Sequence, residues 1–377
     1  MGCSIPFVLM RGGTSKGIFL RAEDVPTDRD ALTDLLLDLF GSPDRRQIDG
    51  LGGADKLTSK AAIIGKPVRS DSDVSYLFGQ VGTVRAEVDF NLNCGNLLAA
   101  VGMYAIEEGL VPPNEGVTLV RVHNLNTDRI VRVGVPVHDG VPQWRGEFSI
   151  GGVPGFGAPI SLDFSHATGA ITGRVLPTGN SLDIWEIPEA GSIELSIVDG
   201  ANMAVYVHAS SLGMAGTESP EEIDNNAALK SRMDAIRRAV AYRCGLRQYW
   251  DARQAASTPM LIVVSEPADY LTCTQGERIQ ADKFHLAVRQ FASGSASKTL
   301  AATLTATSGL ACAIAGTLPH RLVGQTNSRS PGRIAFGHPS GIAYIDIAVS
   351  EKLCIEQLRV MRTARRIAEG RVFLKYR

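Results

Sequence analysis

One plan is written twice along this chain: short alternating strand patterns gathered around a single helix of small or apolar residues. In the first half Val84, Ala86, Val88 and Phe90 alternate with polar neighbours, the period of a half-buried strand. Segments 118–122, 130–135 and 144–150 read the same way, separated by turn-forming residues. Among them a helix opens near Cys94-Gly95-Asn96. Leu98, Val101 and Ala105 recur at helical spacing, and Gly109 followed by Pro112-Pro113 stops it. In the second half, strand-like segments 193–198, 204–209, 260–264 and 342–349 surround a small-residue helix at about 308–315, ended by Gly316 and Pro319. An inserted helix begins at Ser219-Pro220-Glu221-Glu222, with Ser as N-cap, Pro at the first position and Glu at the third, and runs towards Cys244-Gly245. A terminal helix is expected to carry Val360, Ala364, Ile367 and Ala368 on one face and to close at Gly370. The repeat predicts an α+β fold of two related domains, 1–180 and 181–377, with the last segment a candidate to return to the first. A cleft between two such domains is the expected place for a small-molecule site.

The 377 residues are ample for two domains, and the 44% hydrophobic content supplies a core. Lys and Arg total 38 against 39 Asp and Glu, so no global field recruits nucleic acid or anionic lipid. Any anion recognition must be local. No apolar run reaches the length of a membrane span, and no secretion signal opens the sequence. The cysteines Cys3, Cys94, Cys244, Cys273, Cys312 and Cys354 are scattered without a paired motif, which argues against zinc and disulfide frameworks and predicts a reducing cytoplasm. No histidine spacing suggests a metal.

Local anion recognition has an evident candidate. Met10-Arg11-Gly12-Gly13-Thr14-Ser15-Lys16-Gly17 follows the apolar run 5–10 and concentrates cations, hydroxyls and glycines. A strand ending in such a loop offers N–H groups, hydroxyl donors and positive charge to a multiply charged anion. It is not a phosphate loop, because the Gly-x4-Gly-Lys-Ser/Thr order is missing. A plain glycine-rich turn is the competing reading.

Two residues could move protons. Cys94, where a strand hands over to a helix, would feel the positive end of the helix dipole, which favours thiolate; an ordinary core thiol is the alternative. Packing is the expected role of Cys244, Cys273, Cys312 and Cys354. Lys60 follows a glycine-rich approach and leads into the apolar Ala61-Ala62-Ile63-Ile64, so partial desolvation would turn it towards a base. A surface lysine at a strand end is the commoner fate. His338, in Gly337-His338-Pro339-Ser340-Gly341, could donate to a carboxylate or simply occupy a turn, and Asn202 falls at a strand break where Asn is frequent for conformational reasons.

Taken in order, MRGGTSKG, QIDGLGGADKLTSK (47–60), NCGNLLAAVG (93–102) and GHPSG (337–341) resemble the 2-methylaconitate isomerase and 4-oxalomesaconate tautomerase family over nearly the whole chain. That resemblance implies the diaminopimelate-epimerase fold: two pseudo-repeated domains, each a curled mixed sheet around a central helix, with the active site between them. It implies a cofactor-independent, metal-free enzyme that moves a proton across an unsaturated di- or tricarboxylate, by allylic 1,3 shift or keto–enol tautomerisation. Lys60 and Cys94 fall on the family's catalytic lysine and cysteine. Arg11, Thr14, Ser15 and Lys16 fall on its substrate loop, with Ser59, Asn96, His338 and Ser340 as further substrate-binding candidates. Epimerases of the same fold carry a second catalytic cysteine at the second central helix; here that neighbourhood reads Thr305-Ala306-Thr307-Ser308-Gly309. The junction 42–49 and Gly53-Ala54-Asp55 resemble oxalomesaconate enzymes more than methylaconitate ones; aromatic-acid degradation is the setting expected from that resemblance, with propionate metabolism the open alternative. Asp199-Gly200-Ala201-Asn202-Met203 and the second central helix depart from the family pattern.

The expectation is therefore an isomerase of a small polycarboxylate such as 4-oxalomesaconate. A methylaconitate-type isomerase or a racemase of the same fold are the alternatives within enzymology. A non-catalytic carboxylate binder should have lost Lys60 or Cys94, and both are present. The expected partners are that small acid and, as an oligomeric option, a second copy of the chain, with no nucleic acid and no membrane.

Overall fold

The computed structural model describes residues 4–91, 93–253, 256–326, 332–350 and 355–375. The apolar run near the start becomes β1 (Ser4–Gly12), which turns back through Gly13 and Thr14 into β2 (Ser15–Arg21). Helix α1 (Arg29–Phe40) follows, capped by the Asp28 carboxylate, which accepts from the Ala31 N–H, and closed by Gly41 in the left-handed region. Then come β3 (Lys60–Gly65), β4 (Val74–Val81), helix α2 (Gly95–Glu107), β5 (Gly116–Asn124) and β6 (Arg129–His138). In α2 every residue from Gly95 to Ile106 is buried, the behaviour of a helix apolar on all sides.

The second half opens with β7 (Asp183–Ile187), β8 (Gly191–Asp199) and β9 (Met203–His208). Helices α3 (Pro220–Asn225), α4 (Ala227–Arg243) and α5 (Arg247–Asp251) form the insertion, entered through the expected capping box at Ser219 and Glu222. Asn226 interrupts it and caps α4 in turn, so the insertion is not one continuous helix. Strands β10 (Met260–Ser265) and β11 (Leu286–Ala292), helices α6 (Ala302–Ala313) and α7 (Leu318–Thr326), and strands β12 (Arg333–His338), β13 (Gly341–Val349), β14 (Ile355–Arg362) and β15 (Ala364–Phe373) complete the order.

The chain divides into two compact units. The first holds Met1–Ser149, Val153–Leu162 and Met361–Arg377; the second holds Ile150–Gly152 and Asp163–Val360. This division falls earlier than residue 180. The short strand Ile160–Asp163 still pairs with β6, whereas from Gly169 onward the backbone hydrogen-bonds to Asp199 and Gly200 on the second unit's β8–β9 hairpin.

The two units share one connectivity. In the first, the β1–β2 hairpin leads to β3 parallel to β2, β4 antiparallel to β3, α2, β5 parallel to β4 and β6 antiparallel to β5. In the second, the β8–β9 hairpin leads to β10 parallel to β9, β11 antiparallel to β10, α6, β12 parallel to β11 and β13 antiparallel to β12. Each is an α+β unit with a mixed sheet and one buried helix.

Several sequence expectations are corrected. The region expected as a terminal helix is extended: β15 pairs antiparallel with β1 from Ser4↔Phe373 to Gly12↔Ala364. Satisfying the ladder of β1 outweighs the helical spacing of Val360, Ala364, Ile367 and Ala368, since helix propensity is a weak preference that tertiary pairing overrides. The second central helix starts at Ala302, not near Ser308, and Pro319 lies in the first turn of α7 instead of ending α6. Of the alternation at 84–90 only Val88–Asp89 is strand, because Gly82 and Glu87 close a tight turn through backbone bonds. Segment 144–150 has a single bridge, Phe148↔Gly157.

Candidate active site

Strand parity sorts the first unit's side chains onto two faces. Ile18 and Leu20 of β2, Ala61 and Ile63 of β3, and Leu77 and Val81 of β4 all pack with Leu32, Leu35, Leu36 and Leu39 of α1. Their alternates face α2. Phe19 meets Tyr104 of α2 with ring centroids 5.4 Å apart, and a Cβ on Gly17 would lie 2.9 Å from Leu97. The α2 face thus collects Ser15 from β2, Lys60 from β3, and Tyr76, Phe78 and Gln80 from β4, opposite the helix that begins at Cys94. Residues far apart in sequence share one face because β2, β3 and β4 are neighbours in register, with Ile18↔Ala61 and Lys60↔Gln80.

Lys60 is only 8% exposed. Its Nζ donates to Gln80 Oε1 at 2.6 Å and lies 5.0 Å from the centre of the Phe78 ring. The Gln80 amide is oriented by its own donors, which bond the carbonyls of Lys56 and Ser59, so its oxygen must point at Lys60. No carboxylate pairs with Lys60 among the described residues. The amine is therefore not neutralised by a neighbouring acid.

Cys94 is 7% exposed and is the N-cap of α2, with extended backbone (φ −107°, ψ 91°) and no side-chain capping bond, so the thiol is not consumed by the helix end. The first turn of α2 has no acidic residue to compensate the dipole. Asn93 beside it accepts from Asn124 Nδ2 at 3.1 Å, and Asn124 is the register partner of Tyr76. The Tyr76 phenol is buried, and burial together with the neighbouring Cys94 pushes its pKa well above the ordinary range.

Asn96, in the first turn, is held from both ends. Its Nδ2 donates to Thr14 Oγ1 at 3.0 Å and its Oδ1 accepts from Arg362 Nε at 3.1 Å. Arg362 is buried, which pulls its pKa down to about 10. The hairpin tip can lie this close to Asn96 only because Gly12 and Gly13 have no side chains.

The loop expected to present its donors is instead a two-residue turn whose donors are mostly committed. Gly13 N–H bonds Thr363 O, and Lys16 N–H bonds Leu57 O. Arg11 donates to Gly13 O, Thr363 O and Thr363 Oγ1 at 2.9–3.0 Å. Lys16 and Arg11 share the face opposite α2, whereas Ser15 faces α2 and is 2% exposed with no partner for its Oγ among the described residues. Ser59 is buried and donates to Gln47 Oε1 at 2.6 Å, tying down the glycine-rich approach.

His338 and Ser340 belong to the second unit, at the β12–β13 turn. Ser340 N–H bonds His338 Nδ1 at 3.2 Å and Ser340 Oγ donates to Lys298 O at 2.6 Å. Asn202 closes the β8–β9 hairpin, where its N–H and carbonyl both engage Thr307 Oγ1 of α6. Cys312 is buried, which drives its thiol pKa up, and Cys244 is pushed up to about 11, chiefly by burial. Cys273 is exposed, contrary to a packing role; Leu92, Cys3 and Cys354 lie outside the described residues. No cluster of metal-ligating side chains forms among the described residues, and no helix there is long and apolar enough to cross a membrane.

Sequence reasoning missed Gln80, Tyr76 and Arg362. Gln80 carries a faint signal as the lone amide in the mostly apolar Val74–Val81; Tyr76 and Arg362 carry none, because their neighbours come from distant segments.

Among the buried polar atoms of the first unit that lack a partner among the described residues are Ser15 Oγ and Tyr76 OH on the α2 face and Asn93 Nδ2 beside Cys94. Native proteins rarely leave such groups unsatisfied. Tyr76→Phe is expected to raise the melting temperature by a few degrees, because an unsatisfied buried hydroxyl costs about 1–3 kcal/mol. A lower melting temperature in calorimetry would mean that the phenol already has a partner in the resting protein.

The family model described as PrpF protein matches residues 3–375. A 3-methylitaconate isomerase from Eubacterium barkeri is 42% identical, covering 98% of this chain and 97% of that protein. A 4-oxalomesaconate tautomerase from Pseudomonas putida is 37% identical, covering 97% and 95%. The crystal structure of a methylitaconate-delta-isomerase superposes with a TM-score of 0.81 at 41% identity, covering 99% of this chain and 96% of that one. A hydroxyproline epimerase from Agrobacterium vitis shares the fold alone, with a TM-score of 0.56 at 9% identity over 98% of this chain and 93% of that one.

Proposed function

The chain belongs to the PrpF family and is an isomerase, and from that premise we propose that it moves a proton within an unsaturated polycarboxylic acid, with 4-oxalomesaconate the first candidate. The observation that supports this reading is that Lys60, Ser15 and Tyr76 share the sheet face turned towards α2, the last two with unsatisfied hydroxyls, while the uncompensated start of that helix carries Cys94. Lys60 takes a proton from the carbon between an alkene and a carbonyl or carboxylate. The electron pair of that C–H bond delocalises into a dienolate, and a new C–H bond forms at the far allylic carbon with a proton from Lys60 or Cys94. Ser15, Asn96 and the first-turn N–H groups of α2 hold a carboxylate and its developing charge. The reaction needs no metal or organic cofactor in this scheme. A cytoplasmic location and action on a free small acid are parts of the same reading.

A racemase is disfavoured by the internal repeat. Lys60 heads β3 and Cys94 caps α2; the equivalent places in the second unit, at the head of β10 and the cap of α6, hold Met260 and Ala301. Neither can exchange a proton, whereas racemisation needs acid and base on both faces of one carbon.

Proton NMR of the purified protein in deuterated water tests the reading against 4-oxalomesaconate, 2-methylaconitate and 3-methylitaconate. Migration of the alkene signal with one deuterium incorporated is expected for one of the three. Loss of optical activity in a saturated chiral acid, without alkene movement in any of them, would sink the isomerase scheme in favour of a racemase.

A further inference from the structure

Across β2, β1 and β15 the residues Lys16, Arg11 and Arg365 stand directly opposite one another: Arg11 pairs with Lys16 on one side and with Arg365 on the other. Side chains in register point to the same face, and like charges so placed destabilise a sheet. Ordinary packing would offset such a row with carboxylates, as happens one residue along, where Arg366 binds Glu107, Glu108 and Glu369. None of the three row cations has an acidic partner among the described residues. Arg11 is anchored only by neutral oxygens, which fix its position and leave its charge whole. Burial and the adjacent Arg365 both push its pKa down, the sign of a charge held against its own interest. Arg365 also lies 5.5 Å from the centre of the Trp144 ring, which Arg145 approaches to 4.7 Å, adding a fourth cation to the patch.

We propose that this cation row recruits polycarboxylates electrostatically to the hairpin tip, where the site at the start of α2 receives them. The row is two residues from the Gly13-Thr14 turn, about 7 Å along a strand, and that turn lies against Asn96 in the first turn of α2. The screening length lengthens from about 8 Å at physiological ionic strength to about 30 Å at 0.01 M, so at low salt the field of the row extends past the turn to the helix end. The row stands on the reverse face of the sheet from Lys60 and Ser15. It therefore acts through its potential, raising the local concentration of anions, and not as a direct clamp. This recruitment rests on the polycarboxylate reading above, but its test does not depend on turnover.

The full chain is treated with iodoacetate, an anion, and with iodoacetamide, its neutral counterpart, and alkylation of Cys94 is followed by peptide mass spectrometry. The ratio of the two rates is expected to exceed that of free cysteine at low salt and to fall towards it as salt is added. Arg365→Glu should lower the ratio about two- to fivefold at low salt, the range for reversing one charge at about 9–20 Å in water, with the iodoacetamide rate held. Arg365→Gln should fall between, and provides the measurement if the Glu variant folds poorly. A ratio insensitive to salt and to both substitutions, or an equal change with both reagents, would overturn the proposal. If turnover of polycarboxylates is found, kcat/KM should show the same salt dependence; if none is found while the alkylation ratio behaves as expected, recruitment stands and the isomerase substrate is what has failed.

Discussion

Lys60→Met is expected to lower kcat by about 10²–10⁴-fold, the usual worth of a positioned acid–base group, and to abolish solvent deuterium exchange into the substrate. Methionine keeps the unbranched length and removes the nitrogen. The substitution leaves Gln80 Oε1 without the donor it now accepts at 2.6 Å, a cost of about 1–3 kcal/mol if that oxygen stays dry. Calorimetry must accordingly show a folded variant before its kinetics are read. Ser15→Ala should act differently. Ser15 is assigned to holding the acid, so its loss should raise KM more than it lowers kcat, the mark of a group that binds ground and transition states alike. Exchange surviving in Lys60→Met while Cys94→Ala abolishes it would hand the base role to the thiol.

The second large effect is structural. A Cβ on Gly12 would overlap the carbonyl oxygen of Asn96 and come within 3.0 Å of Leu97 Cα and 3.1 Å of Ala100 Cβ. The obstructing atoms belong to the backbone and a methyl group of a buried helix, so no side chain can swing aside. Gly→Ala ordinarily stabilises by about 0.4–1 kcal/mol where the backbone accepts it, by restricting the unfolded chain. Overpacking costs about 1–3 kcal/mol and occasionally more, and here it wins. Gly12→Ala is expected to lower the melting temperature by roughly 4–8 °C, taking about 2 kcal/mol of loss in a unit of this size. Activity should fall further than the stability loss explains, because the displaced helix turn carries Cys94 and Asn96. A variant that melts with the wild type and turns over normally would contradict the close approach of hairpin and helix.

Much of this architecture was legible in the chain. The Cys94-Gly95-Asn96 entry to α2 could be read because strand alternation gives way there to apolar residues at helical spacing, and the capping box at Ser219 because it is a local hydrogen-bond exchange. Lys60 and Cys94 could be named from their local surroundings and from a family resemblance. The same local signals misled at the C-terminus, where Val360, Ala364, Ile367 and Ala368 imitate a helix face but Ala364–Phe373 completes the ladder of Ser4–Gly12.

Local order along the chain dictates whatever depends on neighbours a few residues away: the turn at Gly13, the caps of α1 and α3, and the buried course of α2; the place of Ala301 as the counterpart of Cys94 emerged only from the repeated connectivity. Tertiary structure alone decided which side chains face one another. It set Lys60 against Gln80, Asn93 against Asn124, Asn96 against Arg362, and Arg11 between Lys16 and Arg365. Each pairing depends on strand register or on a helix end meeting a strand, and a shift of one residue would send those side chains to the opposite face. That choice is made by the summed burial of two sheet faces, a quantity that no short stretch of the chain contains.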